Sequence, residues 1–174
     1  QKKSIFKSWK DGDEGMAAGE AAMIFPIMLS MLLAIFGLGN GILANQKTIR
    51  ASQVVADLIT RQGIVTDDDI FEAIEAGRLA LEPLDSSSYG VDIVSVRFDE
   101  DENINILWRE TVNMPPAADP YTAVAPLVEA NEGVLMVSVR YVYEPLFTAF
   151  ISNDIEMGEV AFSRGRSSPS ISRQ

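Results

Sequence analysis

The sequence predicts an α+β chain: a long, membrane-spanning N-terminal α-helix, then a short helix, then a small antiparallel β-sheet of three to four strands. Three observations predict it. Residues 21–44, AAMIFPIMLSMLLAIFGLGNGILA, form a run of 24 residues without a charge. That exceeds the ~20 apolar residues a helix needs to cross a bilayer core. Helical periodicity then continues to about residue 62, and from Tyr89 onward the apolar period changes to two.

Composition narrows the chemistry. The chain has 174 residues, 14 Lys+Arg against 25 Asp+Glu, a formal net charge of −11, and neither Cys nor His. Cysteine nucleophiles, Ser-His-Asp triads, histidine bases, zinc sites and disulfides are therefore excluded. The acidic balance argues against nucleic acid as a partner, since phosphate binding needs clustered Lys and Arg. No cofactor motif is present, and an enzyme is the least favoured class. Pairs such as Glu72/Glu75 and Asp99/Asp101 fall where solvated faces and turns are expected.

Taken in order, the elements are as follows. Lys2, Lys3, Lys7 and Lys10 precede the apolar run, and Lys47 and Arg50 are the first basic residues after it. By the positive-inside rule this puts the N-terminus in the cytoplasm and the following region across the membrane. Residues 1–15 also hold Asp11, Asp13 and Glu14, which leaves −12 on the rest of the chain. Beyond the span, Ala51, Val54, Val55, Leu58 and Ile59 make one apolar stripe, and Gly63 offers a stop. Pro26 predicts a kink. The glycines at 37, 39 and 41 are either a second soft point or a close-packing face for another helix. Thr66 and Asp67-Asp68-Asp69 then read as a capped helix start, with Ile70, Phe71, Ile74 and Leu79 facing inward and Gly77 as the end. The acid triplet is read as dipole complement, not as a metal site.

Val91, Ile93 and Ser95 alternate with Asp92, Val94, Val96 and Phe98, and Ile104, Ile106 and Trp108 alternate with Asn105, Leu107 and Arg109, which predicts a β-hairpin. Asp99, Asp101, Asn103 and Glu110 occupy the first, third, fifth and twelfth positions of a calcium loop, but Ile104 stands where such a loop needs Gly. An acidic hairpin turn is the reading preferred to calcium. Four prolines between 114 and 126 predict a loop. Residues 133–143, GVLMVSVRYVY, form the strongest strand, 155–162 a weaker one, and 163–174, rich in Ser and Arg, a disordered tail.

The single carboxylate at the edge of the apolar run, Glu20, is costly there, roughly 2.5 to 3.5 kcal/mol at a helix centre, and so points to a partner. If the chain is cut between Gly15 and Met16, Glu20 becomes the fifth residue. One subunit's Glu20 can then neutralise the next subunit's new amino terminus and fix the register between neighbouring helices. This arrangement resembles the type IV prepilin class. The string GMAAGEAAMIFP, together with Tyr141-x-Tyr143-x-Pro145-Leu146-Phe147, resembles more particularly the TadE/TadG-like minor pilins, or pseudopilins, of the tight-adherence (Tad, type IVb) pilus.

The resemblance implies a pilin-like fold. It divides the chain into a basic leader at 1–15, a long helix at 16–62, a periplasmic α+β head at 63–162 and the tail at 163–174. It also implies removal of the leader after Gly15 by a prepilin peptidase and an assembly role for Glu20. The implied partners are inner-membrane lipid, the peptidase and other pilins or pseudopilins of the machinery, with no part in catalysis for the chain itself. Ala21 follows Glu20 where the related major pilins favour an aromatic residue, which implies a minor subunit. The alternative is a membrane-anchored sensor whose sheet binds a small molecule or partner, with Trp108, Tyr141 and Tyr143 as the obvious lining.

Overall fold

A computed structural model describes residues 13–117, 119–145 and 154–174. The first helix, α1, spans Asp13–Thr60 without interruption, 48 residues that include Pro26. At ~1.5 Å per residue it is about 72 Å long. Two regimes meet along it. From Met16 to Leu43 the large apolar side chains other than the half-buried Leu33 are exposed, as with Met23 at 79% and Leu38 at 61%. From Ala44 onward one stripe is buried: Ala44, Thr48, Ala51, Ser52, Val55, Ala56, Ile59 and Thr60. A helix apolar all round belongs in a membrane or a core, and a striped one belongs on a protein surface. The change falls where the uncharged run ends. Small residues on the stripe let α1 lie close to its neighbours. The hydroxyls of Thr48 and Thr60 donate to the carbonyls of Ala44 and Ala56, at 3.0 and 2.7 Å, so they are buried without loss of a hydrogen bond.

After a two-residue strand β1 (Ile64–Val65), helix α2 spans Asp67–Leu79. Its start is the predicted one. Thr66 accepts from the Asp69 amide, and Asp69 accepts from the Thr66 amide at 2.8 Å, which makes a capping box. Its inner face differs from the prediction. Ile70, Ala73, Ile74 and Gly77 are buried, whereas Phe71 and Leu79 are exposed. Gly77 is a contact and not a terminus. A Cβ there would stand 2.4 Å from the Tyr89 hydroxyl and 2.5 Å from Val55 Cγ2, so only glycine lets α2 approach α1 this closely.

Four strands, β2 (Gly90–Phe98), β3 (Ile104–Val112), β4 (Gly133–Tyr143) and β5 (Ile155–Ser163), pair antiparallel in the order β3-β2-β4-β5. The predicted strands are all present. One face, bearing Val91, Ile93, Leu135, Val137, Val139 and Tyr141, packs under α1, and α2 lies against α1 and completes the same core. The other bears Val94, Val96, Phe98, Val134 and Met136, and is covered by Val124 and its neighbours. The proline-rich stretch is therefore a second covering layer as well as a loop. It contains the short helix α3 (Pro120–Val124), with Pro120 in the first turn, and a 3-10 turn at Ala125–Leu127.

The hairpin departs from simple alternation. Ser95 pairs with Trp108 but Val96 pairs with Ile106, which leaves Leu107 as an extra residue in β3. A bulge of one residue inverts the side on which later side chains emerge. Ile104 and Ile106 thus join the second face, while Trp108 joins the first. Asp99 closes the turn, accepting from the amides of Asp101 and Asn103 at 3.0 and 2.7 Å. Glu110, the twelfth residue of the calcium pattern, is instead paired with Arg173.

Residues 163–174, predicted as disordered, are ordered along their length. Ser163 ends β5, Ser172–Arg173 form β6, which pairs in parallel with β1, and Ile171 is 2% exposed. The composition is polar, but one apolar anchor and three arginines facing carboxylates supply what composition alone does not reveal.

Candidate functional site

Gly15, Met16 and Glu20 all lie in the first two turns of α1. The Gly15–Met16 bond lies within the first four described residues of α1. Met16 and Glu20 are four residues apart and therefore share a face, with a rise of about 6 Å between them. Both are exposed, Met16 at 65%. Pro26, six residues beyond Glu20, removes the N–H that would bond to the Ala22 carbonyl. One turn on, the Ser30 hydroxyl donates to the Ile27 carbonyl at 2.8 Å.

Along the apolar part, nothing stands within 4 Å of the space a Cβ would take at Gly37 or Gly39, while at Gly41 that space is 4.0 Å from the Tyr143 ring. Gly41 thus meets the head at Tyr143. The second patch of the resemblance lies there too. Tyr141 and Tyr143 end β4, and both are buried, as is Pro145; Leu146 and Phe147 lie outside the described residues. The two tyrosines help to line a cavity of about 370 Å³ with Asn40, Leu84, Asp85 and Ser88. Burial, and then the nearby Asp85 carboxylate, raise the Tyr141 hydroxyl above its ordinary range. Trp108 is not part of this cavity. It packs in the core, and its indole N–H donates to the Ile171 carbonyl at 2.9 Å. The three aromatics of the sensor reading are therefore not brought together.

Two features of the head escaped the sequence reading. Asp92, fully buried, accepts from Arg109 Nε and Nη2 at 2.9 and 2.7 Å, from Thr111 Oγ1 at 2.8 Å and from the Ala117 amide at 2.9 Å. Burial by itself would raise its pKa. The bonds from Arg109, Ala117 and Thr111 outweigh that and hold it below the usual carboxylate range. The signal in the sequence was a lone Asp within a Val/Ile strand, and its partner came onto the same face only through the bulge at Leu107. The second feature is the groove that holds residues 164–174.

No curated protein and no solved structure matches the chain. A family model described as TadE-like protein matches residues 15–57. The match begins at Gly15, takes in Met16, Glu20 and the whole apolar part of α1, and ends in the stripe that carries the head. The similarity to TadE-like proteins therefore rests on α1, and the head lies outside the matched residues.

Proposed function

We propose that this chain is a minor pilin or pseudopilin of a Tad-type pilus. It is inserted with its N-terminus in the cytoplasm, cut after Gly15 by a prepilin peptidase, and held in the inner membrane by α1 with its head in the periplasm. The observation that carries this reading is the placement of Gly15, Met16 and Glu20 at the start of a helix whose next several turns are apolar on all sides. Among the described residues the buried stripe that carries the head occupies the last third of α1, and exposed apolar residues before it, such as Met23, Ile27 and Met31, are available to lipid or to the helices of other subunits.

Cleavage creates a positively charged amino group at Met16, on the positive end of the α1 dipole. In a medium of low dielectric two such ends repel, and the carboxylate of a neighbour's Glu20 relieves both that charge and its own desolvation. The interaction is directional along the fibre axis, because it joins one subunit's first residue to the next subunit's fifth. The chain performs no chemistry in this account; chemistry is done to it. Its head offers a surface for neighbours and keeps the subunit soluble outside the bilayer.

Substitution of Glu20→Ala tests the proposal. Co-purification of the variant with other Tad components from native membranes is expected to fall at least tenfold, while the circular dichroism of the purified variant stays unchanged. Recovery equal to the unaltered chain would overturn the assembly role and favour a sensor that uses α1 only as an anchor.

A further inference from the structure

Residues 164–174, RGRSSPSISRQ, lie in a groove assembled from six separate elements, α1, β1, α2, β2, β3 and β4. The Arg166 amide donates to the carbonyl of Thr60 at 3.0 Å, and the Ser167 hydroxyl to that of Arg61 at 2.8 Å. The amides of Ser172 and Gln174 donate to Gly63 and Val65, at 3.2 and 3.0 Å. Ile171 is the anchor. Its side chain is buried in the main core, and its carbonyl accepts from Ser95 Oγ at 2.7 Å and from Trp108 Nε1 at 2.9 Å. Two glycines make room for the segment. A Cβ on Gly63 would stand 3.0 Å from Ser168 Cβ, and one on Gly133 would stand 2.8 Å from the Pro169 carbonyl oxygen. Three arginines meet an acidic rim: Arg164 on Glu129 and Glu132, Arg166 on Asp57, and Arg173 on Asp67 and Glu110. Together these supply strand pairing, an apolar pocket and charge recognition, which is how peptide-binding grooves work.

We infer that this groove is an exchange site between two copies of the chain, each able to accept residues 164–174 of the other in place of its own. Three observations favour a second copy as the occupant. The segment fits by construction, and exchange of an identical element conserves every contact in the groove. The link between β5 and the anchor includes Gly165 and Pro169; besides the two hydrogen bonds to Thr60 and Arg61 it is held by exposed ion pairs that solvent screens, so it is held more weakly than the buried Ile171. Finally, a chain of net charge −11 repels its own copies. Residues 164–174 carry three arginines and no acid, and so offer an acidic neighbour an attractive contact. Anchoring of both copies in one bilayer would raise their effective concentration and favour exchange further.

The chain has no cysteine, so a disulfide can report the exchange without background from native thiols. Ile64 and Ser172 are exposed and are partners in the parallel β1–β6 pair. Their spacing suits a disulfide, because neighbouring strands lie about 4.8 Å apart. Full-length Ile64→Cys and Ser172→Cys copies, carrying different tags, are mixed in one set of lipid vesicles and oxidised with copper phenanthroline. The expected product is a mixed covalent dimer at least fivefold above either symmetric dimer, suppressed by an excess of free peptide 164–174. The double variant Ile64→Cys/Ser172→Cys, closed within one chain, shows that both copies fold and that the pairing is read correctly. Ready closure in the double variant with no excess of mixed dimer would overturn exchange and leave the segment a fixed clip. Failure of the double variant to close would overturn the groove itself. Neither peptidase nor pilus partner enters the test, so its result is independent of the pilin reading.

Discussion

At the scale of single residues, Asp92 makes the most consequential polar contact in the head, because it ties β2 to β3 and both to the proline-rich layer. Breaking a buried ion pair by removing one partner leaves the other uncompensated, so Asp92→Asn is expected to cost about 3 kcal/mol, read as a lowered midpoint in thermal or urea unfolding. The pH dependence follows from the direction of its shift. A carboxylate whose folded pKa lies below its unfolded value, about 3.9 for Asp, contributes its full stabilisation above that value and loses it as pH falls through the folded one. Asp57, Asp69, Glu75 and Asp99 are lowered as well, each mainly by a hydrogen-bonded side chain: Arg61, Thr66, Arg78 and Asn103 respectively. Thermal melts should therefore be level from pH 5 to 8, with no histidine to add a step near neutrality, and should fall below about pH 4. The fall should be shallower in Asp92→Asn. A midpoint that dropped between pH 6 and 7 would contradict this assignment.

At the scale of elements, the strands and the capped start of α2 were legible because each rests on a local rule: alternation for the strands, and Thr66 with Asp69 for the cap. What was not legible depends on contacts between distant residues. The extra residue at Leu107 looks like ordinary alternation until its pairing with β2 is known, and the ordering of residues 164–174 rests on a pocket made elsewhere. Hydrophobicity alone places Phe71 and Leu79 inside, yet both are exposed. Ala73 and Gly77 are inside because α1 lies too close to α2 for larger residues on that stripe. This closeness is testable. Gly77→Ala should destabilise by roughly 1 to 3 kcal/mol through overpacking against Tyr89 and Val55. The Tyr89 hydroxyl is buried and has no hydrogen-bond partner among the described residues, and burial drives its pKa upward. Tyr89→Phe is therefore expected to change stability by less than about 1 kcal/mol and to recover part of the Gly77→Ala loss in the double variant. Additive losses would mean that the two side chains do not share the space.

At the scale of the whole molecule, the chain is a 48-residue helix with a small α+β head fastened to its far end. The negative charge belongs almost wholly to the head, while the apolar part of the helix carries only Glu20 at its edge. The motif at that edge was visible in the sequence because it is local and spaced by helix geometry, and the family match rests on the same residues. The pilin account turns on one covalent event. N-terminal sequencing of the protein from native membranes with an active prepilin peptidase should return Met16 as the first residue. A leader still attached through Gly15 would contradict the account.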